Sequence, residues 1–66
     1  MQIRLNGQDR ELADAATVAE LLASLALRPE GVAVAVDRRV IPRGEHTSHR
    51  LHPGAEVEVI RAVGGG

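Results

Sequence analysis

The residues of this 66-residue chain best suited to chemistry have no side chains, because the sequence closes on Arg61-Ala62-Val63-Gly64-Gly65-Gly66. Six extended residues reach about 20 Å at ~3.3 to 3.6 Å each. Glycines make such a segment thin enough to thread a narrow active-site channel, and they leave a terminal carboxylate sterically open. The competing reading is a frayed or appended end, since glycine-rich termini are often disordered. That the sequence stops directly after its last predicted strand and these glycines favours a working tail.

Other candidates are weaker. There is no cysteine, which removes disulfides, cysteine-ligated metals and any internal thiol nucleophile, so sulfur chemistry would need another group to carry it. His46, His49 and His52 recur at spacing three, which on a helix would make a metal-binding face. Pro53-Gly54 and the irregular composition point to a loop instead, and no carboxylate pattern completes a ligand set, so solvated loop histidines are expected. Glu56 and Glu58, two apart on a strand, share a face and could form an acid–base pair. Without a cleft to hold a substrate they read as a solvated or docking face. No glycine-rich loop followed by Lys or Ser is present to cradle phosphate.

Composition narrows the classes further. With no Phe, Trp or Tyr, the chain lacks the platforms on which single-stranded nucleic acid stacks. A net charge of -1 with scattered basic residues offers no electrostatic footprint for DNA or a membrane. All the basic side chains are Arg, which rules out lysine-linked chain building. No apolar run nears the ~20 residues of a membrane span, and MQIRLNG lacks the regions of a signal peptide. A complete, cytoplasmic chain with protein partners is expected.

The elements that must position the tail follow from periodicity. Met1, Ile3 and Leu5 alternate with Gln2 and Arg4, as in a half-buried strand. Asn6-Gly7 suits a tight hairpin turn, with a return strand over about Gln8 to Leu12. A strict two-residue turn would put Gln8 and Arg10 on the apolar face, so either the strand is a tolerant edge or the turn is longer. Thr17-Val18-Ala19-Glu20 fits a capping box. Val18, Leu21, Leu22 and Leu25 then form one helical stripe over about Val18 to Leu27, and Pro29 and Gly31 end it. The stripe is expected to pack on Ile3, Leu5, Val57 and Val59.

Val32 to Val36 is apolar on both faces and reads as an interior strand. Asp37-Arg38-Arg39 is a break before a short Val40-Ile41 segment, and Arg43 to Arg50 has no clear period and is expected to be a loop. His52-Pro53-Gly54-Ala55 fits a type II turn leading to the last strand, Glu56 to Ile60. In it Val57 and Val59 face one way, and Glu56, Glu58 and Ile60 the other. The order strand, strand, helix, strand, short strand, strand predicts an α+β roll with one helix on a mixed sheet of four to five strands.

Read together and in order, MQIRLNGQ, TVAELLASL, VAVAVDRRVIPR, LHPGAEVEVI and AVGGG resemble the thiamine-biosynthesis sulfur carriers of the ThiS family over nearly the whole chain. Gly65-Gly66 matches that family's terminal Gly-Gly, whereas Gly64 stands at a variable position. The resemblance implies a ubiquitin-like β-grasp domain over residues 1–60, with the first and last strands parallel at the sheet centre, and a flexible tail over residues 61–66. It also implies a carrier that is not an enzyme and binds no cofactor or metal of its own. A partner, an E1-like adenylyltransferase of the ThiF kind using ATP and Mg, would turn the Gly66 carboxylate into an acyl adenylate. A sulfur donor such as a cysteine desulfurase persulfide would convert this to a covalent thiocarboxylate, and a thiazole synthase of the ThiG kind would consume it. Gly64, Gly65, Val63, Arg61 and Ile60 are then the expected partner-binding residues. The alternatives within the fold are the small subunit of molybdopterin synthase, usually longer and with aromatic residues, and an inert ubiquitin-like or TGS-like binding module.

Overall fold

The computed structural model describes residues 1–61. The expected tail residues Val63, Gly64, Gly65 and Gly66 lie outside them. Chain order is β1 (Gln2–Leu5), β2 (Gln8–Glu11), α1 (Val18–Ser24), a 3-10 turn (Pro29–Gly31), β3 (Val32–Val36), β4 (Arg39–Val40), a second 3-10 turn (Arg43–Glu45) and β5 (Glu56–Arg61). The strands form one mixed sheet in the order β2-β1-β5-β3-β4. β1 and β5 run parallel at its centre, and every other pairing is antiparallel. This is the ubiquitin-like β-grasp arrangement.

Two-residue turns with positive φ at both positions make the two hairpins. Asn6 (φ 50) and Gly7 (φ 82) join β1 to β2, pairing Leu5 with Gln8 and Ile3 with Arg10. Of the two possibilities left open by the sequence, the chain therefore adopts the tolerant edge strand. Arg10 is only half-buried, with its Nε enclosed and without a hydrogen-bond partner among the described residues. The residues read only as a break form the second such turn, at Asp37 (φ 49) and Arg38 (φ 70), which pairs Val36 with Arg39.

The helix opens as expected. Glu20 N–H donates to Thr17 Oγ1 at 3.1 Å, and Thr17 N–H donates to Glu20 Oε1 at 2.7 Å. It closes earlier than expected, at Ser24 rather than Leu27. Ala26 takes a left-handed φ of 58, Ala26 N–H bonds Ala23 O at 3.0 Å, and Leu27 N–H bonds Leu22 O at 2.9 Å. This pair of bonds is a Schellman termination, built on Ala where Gly is the usual signal.

The segment expected to be a loop is more organised than its composition suggests. After the turn at Arg43–Glu45, the carbonyls of His46 and His49 accept the N–H groups of Ala19 (2.9 Å) and Val18 (3.0 Å). These are the helix amides that the capping box leaves unpaired. The expectation of three solvated histidines is overturned at His46, which is 4% exposed. Its Nε2–H donates to Ile41 O at 3.1 Å. With its carbonyl committed to the helix and its ring to β4's continuation, the residue is a tertiary tie.

The core contains Ile3, Val18, Leu21, Leu22, Val57 and Val59, with Leu5 and Leu25 packed partly buried against it, as expected. Val34, Val36, Ile41, Leu51 and Ala55 complete it. β3 is interior in the strand order, but only one of its faces is covered: Val34 and Val36 are buried, and Ala33 is exposed. Among the described residues no helix is long and apolar enough to cross a membrane.

Candidate functional site

β5 carries the chain from the middle of the sheet to the start of the tail, and its neighbours grip it unequally along its length. β3 pairs with it throughout, from Val36 opposite Val57 to Val32 opposite Arg61. β1 pairs with it only at Arg4–Glu56 and Leu5–Val57, because the chain then turns at Asn6-Gly7. Asn6 prolongs the grip. Its backbone N–H bonds Val57 O at 2.9 Å. Its side-chain Oδ1 accepts Val59 N–H at 3.0 Å, and its Nδ2 donates to Val59 O at 3.3 Å. An Asn amide, with one donor and one acceptor side by side, here stands in for a strand residue.

Asp37 clamps the entry of β5. Its N–H bonds Glu56 O at 2.7 Å, its Oδ1 accepts Glu56 N–H at 3.0 Å, and its Oδ2 lies 2.7 Å from His52 Nε2. His52 Nδ1 lies 2.9 Å from Pro53 O, so both ring nitrogens face acceptors, which suits the imidazolium. The Asp37 carboxylate, followed by the Pro53 carbonyl, raises the His52 pKa above its ordinary value. Asp37 is held below its own ordinary value, first by His52 and then by the Glu56 N–H. The type II turn at His52–Ala55, with Gly54 at φ 80 and Ala55 N–H on His52 O at 3.1 Å, is thus tied to the β3–β4 hairpin.

The strand's alternation sorts the expected site residues onto two faces. Glu56, Glu58 and Ile60 lie on the open face, away from the helix, and Ile60 is 65% exposed. Across the strands lie Ala33 opposite Ile60, Ala35 opposite Glu58 and Val40 opposite Ala35. With Val40 74% exposed, a small apolar lane runs to the sheet edge. Arg61 has the parity of Val57 and Val59 and belongs to the helix side. Ile60 and Arg61, expected together at one docking spot, therefore lie on opposite faces of the same strand end. Gly64, Gly65, Val63 and Gly66 follow beyond the described residues.

Glu56 and Glu58 border a shallow hollow of about 270 Å³ together with Arg4 and Arg38, where each carboxylate has basic neighbours. A larger hollow, about 570 Å³, is lined by Asp37, Arg39, His49, Arg50 and His52 among others. It lies at the Val36 end of β3, opposite the end that faces Arg61. Among the described residues no group of three or more His, Asp or Glu could hold a metal ion.

A β-grasp sheet whose central strand, gripped from both sides, delivers a glycine tail is the architecture of a ubiquitin-like carrier. Residues 3–66 match the ThiS family, and the chain belongs to it. Over all 66 residues, and over the whole of the relative, it is 33% identical to the Escherichia coli sulfur carrier protein ThiS. The crystal structure of a thiamine biosynthesis protein (ThiS) from Geobacter metallireducens superposes with a TM-score of 0.85 at 29% identity, covering both chains completely. A thiazole synthase of Magnetococcus marinus is 35% identical over the same 66 residues, which make up 20% of that protein. The chain is accordingly a small sulfur carrier of thiamine biosynthesis and not an enzyme.

Proposed function

We propose that the carboxylate of Gly66 is the sulfur-carrying group, cycling between acid, acyl adenylate and thiocarboxylate. A carboxylate is a poor acyl donor because its leaving group would be oxide. In a partner adenylyltransferase of the ThiF kind, a Gly66 oxygen attacks the α-phosphorus of ATP and expels pyrophosphate, with Mg and all phosphate binding supplied by the partner. The terminal sulfur of a persulfide then attacks the Gly66 carbonyl carbon and expels AMP. A thiol cleaves the resulting acyl disulfide, forming a new disulfide and releasing the thiocarboxylate. Thiazole synthase takes the sulfur and returns the carrier. Relatives in which a sequence like this one forms a fifth of a thiazole synthase chain support that enzyme as the partner.

The observation that carries this reading is the family match through residue 66, joined to a chain without cysteine whose central strand leads into the glycines. Val63, Gly64 and Gly65 thread the partner's channel. Ile60 meets an apolar contact on the open face, where an exposed apolar centre ringed by Glu56 and Glu58 has the layout of a protein interface. Intact-mass measurement tests the proposal. With ATP, Mg, a persulfide donor and the adenylyltransferase, the protein should gain the mass of one oxygen exchanged for sulfur. Deleting Gly66 shortens the reach by about 3.5 Å and should abolish the shift, since misplacing a reacting centre by even ~1 Å can cost about a hundredfold in rate. A mass shift in the deletion variant, or none in the intact chain, refutes it.

A further inference from the structure

The end of β5 presents a different surface on each side of the sheet. On the open face Glu56 and Glu58 precede Ile60. On the helix side a hollow of about 300 Å³ is lined by Ala26, Leu27, Arg28, Gly31, Val32 and Arg61, an apolar floor with one arginine from the segment after α1 and one from the strand end. Arg28 is held in extended backbone (φ −92, ψ 141), as a residue before proline must be, and its carbonyl accepts Gly31 N–H at 3.3 Å. Neither guanidinium has a carboxylate within ion-pair distance among the described residues. Glu30, two residues from Arg28, lies 4.0 Å from Arg43 instead.

We infer that Arg28, with Arg61, docks acidic side chains on the enzyme that adenylates the tail, and that this contact sets the rotation of the carrier about its tail. The inference rests on the carrier reading above. Two arginines beside Ala26, Leu27 and Val32, with no ion-pair partner among the described residues, present a positive patch that matches carboxylates. Arg28 belongs to the segment after α1 and not to β5, so a charge-complementary contact there as well as at Arg61 fixes the register and opposes rotation of the carrier about the strand that leads into the tail. The anion is the partner's protein and not the nucleotide. Residues 62–66 separate Arg61 from the reacting carboxyl by up to about 17 Å of extended chain, so phosphates held at Gly66 in a narrow channel are beyond the hollow. Arg28 is a positioning residue with no part in the chemistry.

The test is steady-state adenylation with the full-length carrier as varied substrate, comparing wild type with Arg28→Glu, Arg28→Lys and Arg39→Glu. The last imposes the same charge change at the far edge of the sheet, and thermal unfolding confirms that each variant is folded. Arg28→Glu should raise KM about tenfold or more at low salt with kcat within about twofold, and the gap should narrow as salt is added. Arg28→Lys should retain most of the affinity, and Arg39→Glu should resemble wild type. A folded Arg28→Glu with unchanged KM, an equal effect from Arg39→Glu, or a loss confined to kcat overturns the inference while the carrier reading stands. Failure of the wild type itself to be adenylated overturns both.

Discussion

The two buried leucines of α1 offer a quantitative test of how the helix is seated. Leu22 is 2% exposed and Leu21 0% exposed, so burial alone predicts nearly equal losses on truncation. Leu→Ala forfeits ~2.4 kcal/mol of transfer free energy at ~0.8 kcal/mol per carbon. A cavity contribution then brings such variants to about 2.7 to 5.0 kcal/mol, depending on how far the site relaxes. The two positions differ in that second part. Leu22 borders a surface hollow of about 200 Å³ between the helix and the segment carrying Arg43, His46 and Thr47, whereas Leu21 does not. Space opened at Leu22 merges with this hollow and is filled by solvent or by Leu27, so its loss should stay near 2.5 kcal/mol. Space opened at Leu21 is enclosed and should cost about 3 to 5 kcal/mol. For a domain of this size, with a total stability of ~3 to 10 kcal/mol, Leu21→Ala should approach global unfolding at room temperature. Urea titrations of both variants, with unchanged m-values, measure the difference. Equal losses, or a larger one at Leu22, would show that the hollow does not relieve the cavity and that this account of the packing is wrong.

Two further outcomes follow from the backbone and from charge. Ala26→Gly should stabilise the protein by about 0.5 kcal/mol, because the ~1 to 2 kcal/mol cost of a left-handed L-residue exceeds the ~0.5 to 1 kcal/mol of extra chain entropy that glycine loses; a lower urea midpoint would contradict the Schellman assignment. The Asp37–His52 pair should contribute most between about pH 4 and pH 6.5, since Asp37 lies below its ordinary 3.8 and His52 above its ordinary 6.5. The His52 contribution is complete below its unfolded pKa and lost as pH rises through the folded one, while the Asp37 contribution fades as pH falls below its unfolded pKa. The melting-temperature gap between wild type and Asp37→Asn should therefore be wider near ~pH 5.5 than near ~pH 9, and a gap that widens on the alkaline side would exclude the ion pair as its source.

What was legible in the sequence was what neighbouring residues determine. Asn6-Gly7, the Thr17–Glu20 box, the His52–Ala55 turn and the alternation of β5 are local patterns, and each appears in the fold where it was read. The misreadings have one cause. Leu25 extends the apolar stripe of α1, but the helix is stopped by bonds to Leu22 and Ala23 that form on an alanine, without the glycine that would have announced them. Arg43 to Arg50 has no period because its order comes from α1, whose amides its carbonyls satisfy. His46 was read as solvated because nothing nearby in sequence reveals that Ile41 O and the helix enclose it. At the end of β5 the exposed Ile60 was visible in the alternation, but its separation from Arg61 required the strand parity to continue one residue past the predicted end. Arg28 required the fold itself, since 33 positions separate it from Arg61.

Asn6 shows how the demands on a carrier meet in one residue. The turn needs a residue that tolerates positive φ, and asparagine does so. β5 must continue past the point where β1 ends, and the Asn6 side chain supplies the missing donor and acceptor to Val59. Beyond Val59, among the described residues, only β3 lies beside the strand, through Ala33 and Val32. Pairing on both sides thus gives way to pairing on one side just before the tail. In the function proposed above the last residues enter another protein, and this gradation serves that entry. The body fixes where the tail starts, while the final strand residues keep one backbone edge free for a partner to pair with. The same two residues, Ile60 and Arg61, direct their side chains to opposite faces, so an enzyme that seats that edge is also offered an apolar contact on one side and a cationic one on the other.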